Sequence, residues 1–270
     1  MSSGSVGAQG GHGVPPAGLW LRVVEVRGDE FPDDDVYPFS IGTLRRRQAL
    51  TFNRSVSFFV GENGCGKSTL IEAIARRCGL HIWHEVKRGG APPPARRAAA
   101  PPHVPASGRL SDYLDITLAR GPVRGGIFTA ESFRQWAEFL DDVSAIDPGQ
   151  AKYHGGKDLT LRSHGEGAIA YFKGRYKIPG LYFLDEPEAA LSPASQLDLL
   201  RLLAEYERQG HAQFILATHS PILMALPGAQ VFSFSDARIE ETSYEQTAHY
   251  RLYRDFMADP ARFLAVPGSQ

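Results

Sequence analysis

Three short stretches of this 270-residue chain carry residue types suited to chemistry on a phosphate group. The first, Gly61-Glu62-Asn63-Gly64-Cys65-Gly66-Lys67-Ser68-Thr69, fits the pattern G-x-x-x-x-G-K-[ST] at every fixed position. A polyphosphate needs backbone N–H groups turned towards it. Glycines let the chain curl tightly enough to supply them, and a following helix N-terminus adds partial positive charge. Lys67 is placed to reach the β- and γ-phosphates of a nucleotide, and the Ser68 hydroxyl to ligate Mg²⁺. The second stretch is Asp185-Glu186, directly after the apolar run Leu181-Tyr182-Phe183-Leu184. A carboxylate at the carboxyl end of a buried strand can hold the Mg²⁺ shell, and its neighbour can reach past the metal to polarise a water at the γ-phosphate. The third is Thr218-His219-Ser220-Pro221, in which His219 ends another apolar run and can contact the γ-phosphate.

The flanking patterns supply the elements that must hold these residues. Ser57-Phe58-Phe59-Val60 reads as a buried strand entering the glycine-rich loop. Leu70, Ile71, Ile74, Ala75 and Cys78 follow at helical spacing, with Gly79 as the stop. An earlier strand is expected over Leu19–Val26, then an acidic loop from Gly28 to Pro38. The basic run Arg45-Arg46-Arg47 is read as a solvated face, with phosphate contact as the alternative. Gly126-Ile127-Phe128 resembles a strand end, and Glu131 to Val143 an amphipathic helix. Ser192-Pro193 is an N-cap followed by proline at the first helical position. The helix it opens runs to about Gln209, with Leu197, Leu200, Leu203 and Ala204 inward and Gly210 at its end. Ala212 to Thr218 and Gln230 to Phe234 are further strands, a short helix follows Ser220-Pro221, and Tyr244 to Phe263 closes as helix. Strands alternating with helices imply an α/β fold with a mostly parallel sheet sandwiched by helices.

Composition narrows the classes. With 43% hydrophobic residues the chain can bury one substantial core, and a net charge of −1 excludes the global basic field common in dedicated nucleic-acid binders. Two cysteines offer no disulfide framework, which suits a reducing, cytoplasmic setting, and no run of apolar residues is long enough to span a membrane. Residues 1–18, rich in Ser, Gly and Pro, read as a flexible tail. Residues 87–107, dominated by Gly, Ala, Pro and Arg, read as an exposed, mobile excursion within an inserted helical lobe at about 87–165. Residues 19–270 then form a single domain.

Taken together, the phosphate loop, Leu181 to Glu188 with Ala190-Leu191-Ser192 after it, and Thr218-His219-Ser220-Pro221 resemble the ATP-binding cassette (ABC) class of P-loop NTPases. There they would be the Walker A, Walker B, D-loop and switch-histidine elements. More closely, the chain is similar to small stand-alone ATPases of the AAA family allied to the RecF/SMC-like branch. The resemblance implies binding of ATP and Mg²⁺, hydrolysis with Glu186 as the water-polarising carboxylate, and a head-to-tail homodimer closing over two nucleotides. It also implies a counterpart of the transporter signature L-S-G-G-Q at Ser163-His164-Gly165-Glu166-Gly167. Ser163, Gly165 and Glu166 of one subunit would face the γ-phosphate held by the other. The metal- and water-binding glutamine of the family falls near Phe128-Thr129-Ala130-Glu131, where Glu131 substitutes, or at Gln135. Tyr37 and Phe39 are the candidates for stacking on adenine. Cys65 is read as a small residue at a variable loop position. No heptad run separates Lys67 from Ser163, so the coiled-coil arm of SMC-type relatives is not expected. The expected process acts on nucleic acid, on a protein partner or in defence. The alternatives are the nucleotide-binding subunit of a transporter and a module that binds nucleotide without hydrolysis.

Overall fold

The computed structural model describes residues 18–32, 35–80, 109–129 and 164–264, with side chains from residue 167 in the last segment. The proline-rich excursion at 87–107, the helix expected from Glu131 to Val143 and nearly all of the expected tail lie outside these residues.

Two sheets organise the described chain. Strands β1 (Leu21–Arg27), β2 (Arg47–Thr51) and β4 (Leu114–Leu118) form an antiparallel sheet in the order β2-β1-β4. The second sheet has six strands in the order β5-β6-β7-β3-β8-β9. They are β3 (Val56–Val60), β5 (Gly125–Thr129), β6 (Gly180–Asp185), β7 (Ala212–Ala217), β8 (Gln230–Phe234) and β9 (Ile239–Thr242). All its pairings are parallel except β8 with β9. The central strands β3, β6 and β7 are almost wholly buried, as continuous apolar runs must be when both sheet faces are covered.

Helix α1 (Lys67–Arg77) lies between the sheets and buries Leu70, Ile71, Ala73, Ile74 and Ala75 in a core shared with Val24, Leu50, Phe59, Phe183 and Ile215. On the opposite face of the parallel sheet, α2 (His164–Arg175) and α3 (Pro193–Gln209) enclose a second core around Phe172, Leu199, Leu203, Phe214 and Leu216. Ser192 caps α3 by accepting a hydrogen bond from the Ser195 N–H, and Gly210 ends it in the left-handed region. The buried stripe of α3 is Leu199, Leu202, Leu203 and Tyr206, while the Leu197 side expected to face inward is 43% exposed. Leu197 stands two residues from Leu199, roughly 200° around the helix, so both cannot face one sheet.

The sheets are stitched by a buried glutamine. Gln213 Oε1 accepts from the Trp20 and Leu21 N–H groups at 2.8 and 2.7 Å, and its Nε2 donates to the Leu21 carbonyl at 3.1 Å. Strands β2, β4 and β9 have no counterpart in the sequence reading, which took the Arg45-Arg46-Arg47 run at the start of β2 as a solvated face. β4 and β5 fall inside the range 87–165 expected to be a helical lobe, yet each completes one of the two sheets. β4 escapes notice because its apolar residues are few (Leu114, Ile116, Leu118) and it is an edge strand, with only Leu114 buried. The last helices, α5 (Ala248–Ala258) and α6 (Pro260–Leu264), follow the short helix α4 (Pro221–Met224) and bury no residue. The single closing helix expected from Tyr244 is broken at Asp259-Pro260, where proline cannot continue the hydrogen-bond ladder.

Candidate nucleotide site

Strand register brings the three motifs to one edge of the parallel sheet. Phe59 pairs with Ala217, and Ala217 with Asp185, so the carboxyl ends of β3, β7 and β6 lie in one row. The Glu186 N–H donates to the Ala217 carbonyl at 2.9 Å and the Thr218 N–H to the Phe59 carbonyl at 3.2 Å, extending that row one residue beyond the strands. Ligand sites of open parallel sheets form at this edge.

The glycine-rich loop leaves β3 and curls into α1. Gly64 and Gly66 take φ of 81° and 97°, values that L side chains rarely adopt, and Gly66 is the N-cap of α1. Lys67 is 4% exposed, and its ammonium donates to the carbonyls of Gly61 and Glu62 at 2.8 and 2.9 Å. The lysine therefore holds the loop curled and keeps a positive charge inside it. Cys65 is buried, its Sγ 3.8 Å from that ammonium. Glu62, Asn63 and Gly64 are exposed at the mouth of the loop. The Thr69 hydroxyl lies 3.1 Å from the Tyr37 hydroxyl. Tyr37 is 69% exposed beside the loop, whereas Phe39 is 2% exposed and packed edge-on against Tyr113. Of the two aromatics, only Tyr37 can offer a face to a base.

Ser68 and Asp185 meet across the sequence: the Ser68 hydroxyl donates to Asp185 Oδ1 at 2.8 Å. Burial pushes the Asp185 carboxyl up to about 6. Glu186 and Glu72 add to the effect, while the Ser68 hydrogen bond and Lys67 oppose it. A half-buried carboxylate and a hydroxyl, both hard oxygen donors, with surplus negative charge from two further acids, fit Mg²⁺. Glu131, the third expected metal ligand, lies outside the described residues, as does Gln135.

Glu186 is the only non-glycine residue with positive φ among the described residues (φ 46°, ψ 53°). Left-handed backbone at a charged residue is strained, and such strain persists where the surroundings dictate it. Here Pro187 begins the next turn and the Glu186 N–H is held by Ala217, so the side chain is turned towards His219, whose Nε2 is 3.7 Å from Glu186 Oε1. His219 Nε2 is buried and has no hydrogen-bond partner among the described residues. Burial, and then the charge of Lys67, hold the His219 imidazole below its usual pKa against the pull of Glu186 and Glu62.

Two residues with no assigned role in the sequence complete the site. Glu188 Oε1 accepts from the His219 N–H at 2.6 Å, and burial raises its carboxyl pKa. Its position, three residues after Asp185 in Asp-Glu-Pro-Glu, was the available signal. His249, from α5, lies with Nε2 3.0 Å from His219 Nδ1. Nothing in the sequence links it to His219. Arg47, the last of the basic run, is taken up by Glu25, Asp29 and Glu30 on the far sheet, and does not reach the loop. Gly165 and Glu166 lie in the opening turn of α2, and Ser163 falls just outside the described residues.

The arrangement thus combines a glycine-rich loop closed on a buried lysine, a hydroxyl–carboxylate pair, a carboxylate on left-handed backbone and a histidine whose pKa burial lowers, all at one sheet edge. Among known proteins, residues 39–79 match a family model described as "AAA domain", and residues 132–225 match one described as "AAA domain, putative AbiEii toxin, Type IV TA system". A stretch of 139 residues, 49% of the chain, is 30% identical to ATP-binding cassette sub-family C member 10 of Mus musculus, and spans 8% of that protein. Similar solved structures include the SMC head domain from Thermotoga maritima, with a TM-score of 0.45 and 18% identity over 83% of this chain and 99% of that one. Another is cbiO1 from Clostridium perfringens, part of the ABC transporter complex cbiONQ, with a TM-score of 0.47 and 17% identity over 90% and 97% of the two chains. The glycine-rich loop and the Asp185-Glu186 strand end thus each fall within a stretch matched by an AAA-domain model, and the two meet in one site on a parallel sheet.

Proposed function

We propose that this protein binds Mg·ATP and hydrolyses it, and that ATP drives two copies together head to tail. Lys67 and the loop N–H groups hold the triphosphate, and Ser68 and Asp185 hold Mg²⁺, which offsets charge on the phosphates. Glu186 accepts a proton from the attacking water as the new bond to the γ-phosphorus forms and the bond to the β–γ bridging oxygen breaks, releasing ADP. His219 donates from Nε2 to a γ-phosphate oxygen. Ser163, Gly165 and Glu166 cap the nucleotide held by the partner copy.

The observation that carries this reading is the joining of Ser68 to Asp185 beside the strained Glu186, with His219 within 4 Å of it. A glycine-rich turn matching the loop pattern by chance would have no reason to meet a carboxylate from a strand two positions away in the sheet. The dimer switch gives a role to the signature-like segment, which opens α2, a helix that takes no part in this copy's own glycine-rich loop. The matched description of a type IV toxin–antitoxin component favours a defence-type process, with a nucleic-acid or protein partner.

The test uses two variants. Lys67→Ala is expected to lose ATP binding. Glu186→Gln is expected to bind ATP, lose at least about a hundredfold in turnover, and elute as a dimer at saturating Mg·ATP. A monomeric Glu186→Gln protein under those conditions removes the dimer mechanism, and undiminished turnover removes Glu186 as the base.

A second reading, the nucleotide-binding subunit of a transporter, is favoured by the likeness to the sub-family C protein. Among the described residues no helix is long and apolar enough to cross a membrane, so that reading requires a separate membrane partner. Capture by the ATP-trapped Glu186→Gln protein separates them: an integral membrane protein supports transport, and nucleic acid or a soluble protein supports the first reading.

A further inference from the structure

We propose that His249 is a positioning residue for the nucleotide reaction: its Nε2–H donates to His219 Nδ1 and so keeps the His219 proton on Nε2, the nitrogen facing Glu186 and the phosphate cradle. The inference rests on the role given to His219 above.

The two rings approach with nitrogens 3.0 Å apart and centroids at 5.1 Å, tilted by 59°. A nitrogen–nitrogen distance of 3.0 Å requires one proton between the rings, and burial, with Lys67 acting on His219 and His219 on His249, lowers both pKa values and so favours the neutral forms. One must donate and the other accept. If His219 donated from Nδ1, its Nε2 would be a bare lone pair, buried, without a partner and 3.7 Å from a Glu186 carboxylate oxygen. Two acceptors would then face each other in a partly desolvated site. With His249 as donor, His219 Nε2 carries the proton towards that carboxylate, and the same N–H can serve a γ-phosphate oxygen. The hydrogen bond at one ring nitrogen thereby dictates the chemistry at the other.

The fold holds His249 where this requires. It is the second residue of α5, directly after the N-cap Thr247, whose hydroxyl accepts from the Tyr250 N–H at 3.2 Å and is itself 2% exposed as a residue. Just before the cap, the Tyr244 hydroxyl donates to the Pro221 carbonyl at 2.8 Å, and the Tyr244 and Tyr250 rings pack edge-on. Pro221 opens the helix that begins two residues after His219, and Ser220 caps that helix by accepting from the Ile222 and Leu223 N–H groups. The start of α5 and the His219 loop are therefore tied to each other twice, once through main chain and tyrosine and once through the imidazole pair. Glu188 pins the His219 N–H from the opposite side.

Three variants of the full chain and one spectrum decide the matter. His249→Leu removes the donor and is expected to lower kcat for ATP about tenfold with KM within about twofold, whereas His249→Gln, which retains an N–H donor, stays within about threefold of wild type. Nitrogen-15 spectra of the wild-type histidine rings are expected to show His219 Nδ1 bare and Nε2 protonated. Should His249→Leu turn over ATP like wild type while His219→Ala is impaired, the inference is overturned and the role of His219 stands; should the spectra show the proton on Nδ1, the inference is overturned together with the Nε2 donation assigned to His219. If His219→Ala itself retains full kcat, the role of His219 fails, and the inference with it. The spectrum needs only the wild-type protein, so a His249→Leu chain that does not fold leaves the test intact.

Discussion

Asp185 shows how a site residue is held at the expense of stability. Its carboxyl titrates at about 6 in the folded chain against 3.8 for a free side chain, chiefly because burial penalises the charge. The folded state then holds this proton more tightly than the unfolded state does. The group favours folding at pH below about 4, and that contribution is lost as the pH rises through 6. At pH 7.5 the ionised carboxylate costs on the order of 2 kcal/mol. Asp185→Asn is therefore expected to raise the melting temperature of the nucleotide-free protein by roughly 5 °C at pH 7.5, and by progressively less as the pH is lowered towards 4. The same variant should lose Mg²⁺-dependent turnover. An Asn variant that melts below wild type at pH 7.5 would show that Asp185 is a structural anchor rather than a strained ligand. Residue identity at this site was legible from the chain alone: Lys67, Ser68, Asp185, Glu186 and His219 all stand at the sheet edge where their motifs place them. Glu188 and His249 were not legible, because a hydrogen bond to a main-chain N–H or between two histidines 30 residues apart leaves no pattern in composition or spacing.

At the scale of elements, the docking of the antiparallel sheet on the parallel one depends on Gln213. This side chain has no exposed surface and serves three main-chain groups on Trp20 and Leu21. Its replacement by leucine would leave two buried N–H groups and a carbonyl without this partner, a loss of about 2–4 kcal/mol. Gln213→Leu is expected to lower the urea midpoint accordingly, and amide exchange over β1 should quicken more than over β3. Equal exchange in both strands would mean that the sheets are held by the shared apolar core instead. Strong elements were readable: β3, β6 and β7 are short, mostly apolar runs, and α1 and α3 carry an apolar stripe ended by Gly79 and Gly210. β2, β4 and β9 were missed: all three are edge strands of four or five residues, too short and too open to solvent to impose a pattern that stands out from loop sequence.

Over the whole molecule, α1 begins in the glycine-rich loop and packs against both sheets, so the proposed binding of Mg·ATP at that loop would act on both. A ligand at a hundred times its Kd stabilises by about 2.7 kcal/mol. Wild type is expected to gain several degrees in melting temperature with Mg·ATP and Lys67→Ala to gain none, as thermal scans with and without nucleotide would report. A shift of equal size in both proteins would place the nucleotide elsewhere. By itself the sequence determined the α/β class, the phosphate cradle and the acid–histidine set, because each depends on local rules: glycine where the chain must curl, apolar runs where a strand is buried, a polar residue at the strand's end. Only the tertiary structure decided the strand order, the strain at Glu186, the choice of Tyr37 over Phe39 and the partner of His219. Those features arise from contacts between segments far apart in the chain, where shape and desolvation, rather than residue spacing, determine which groups meet.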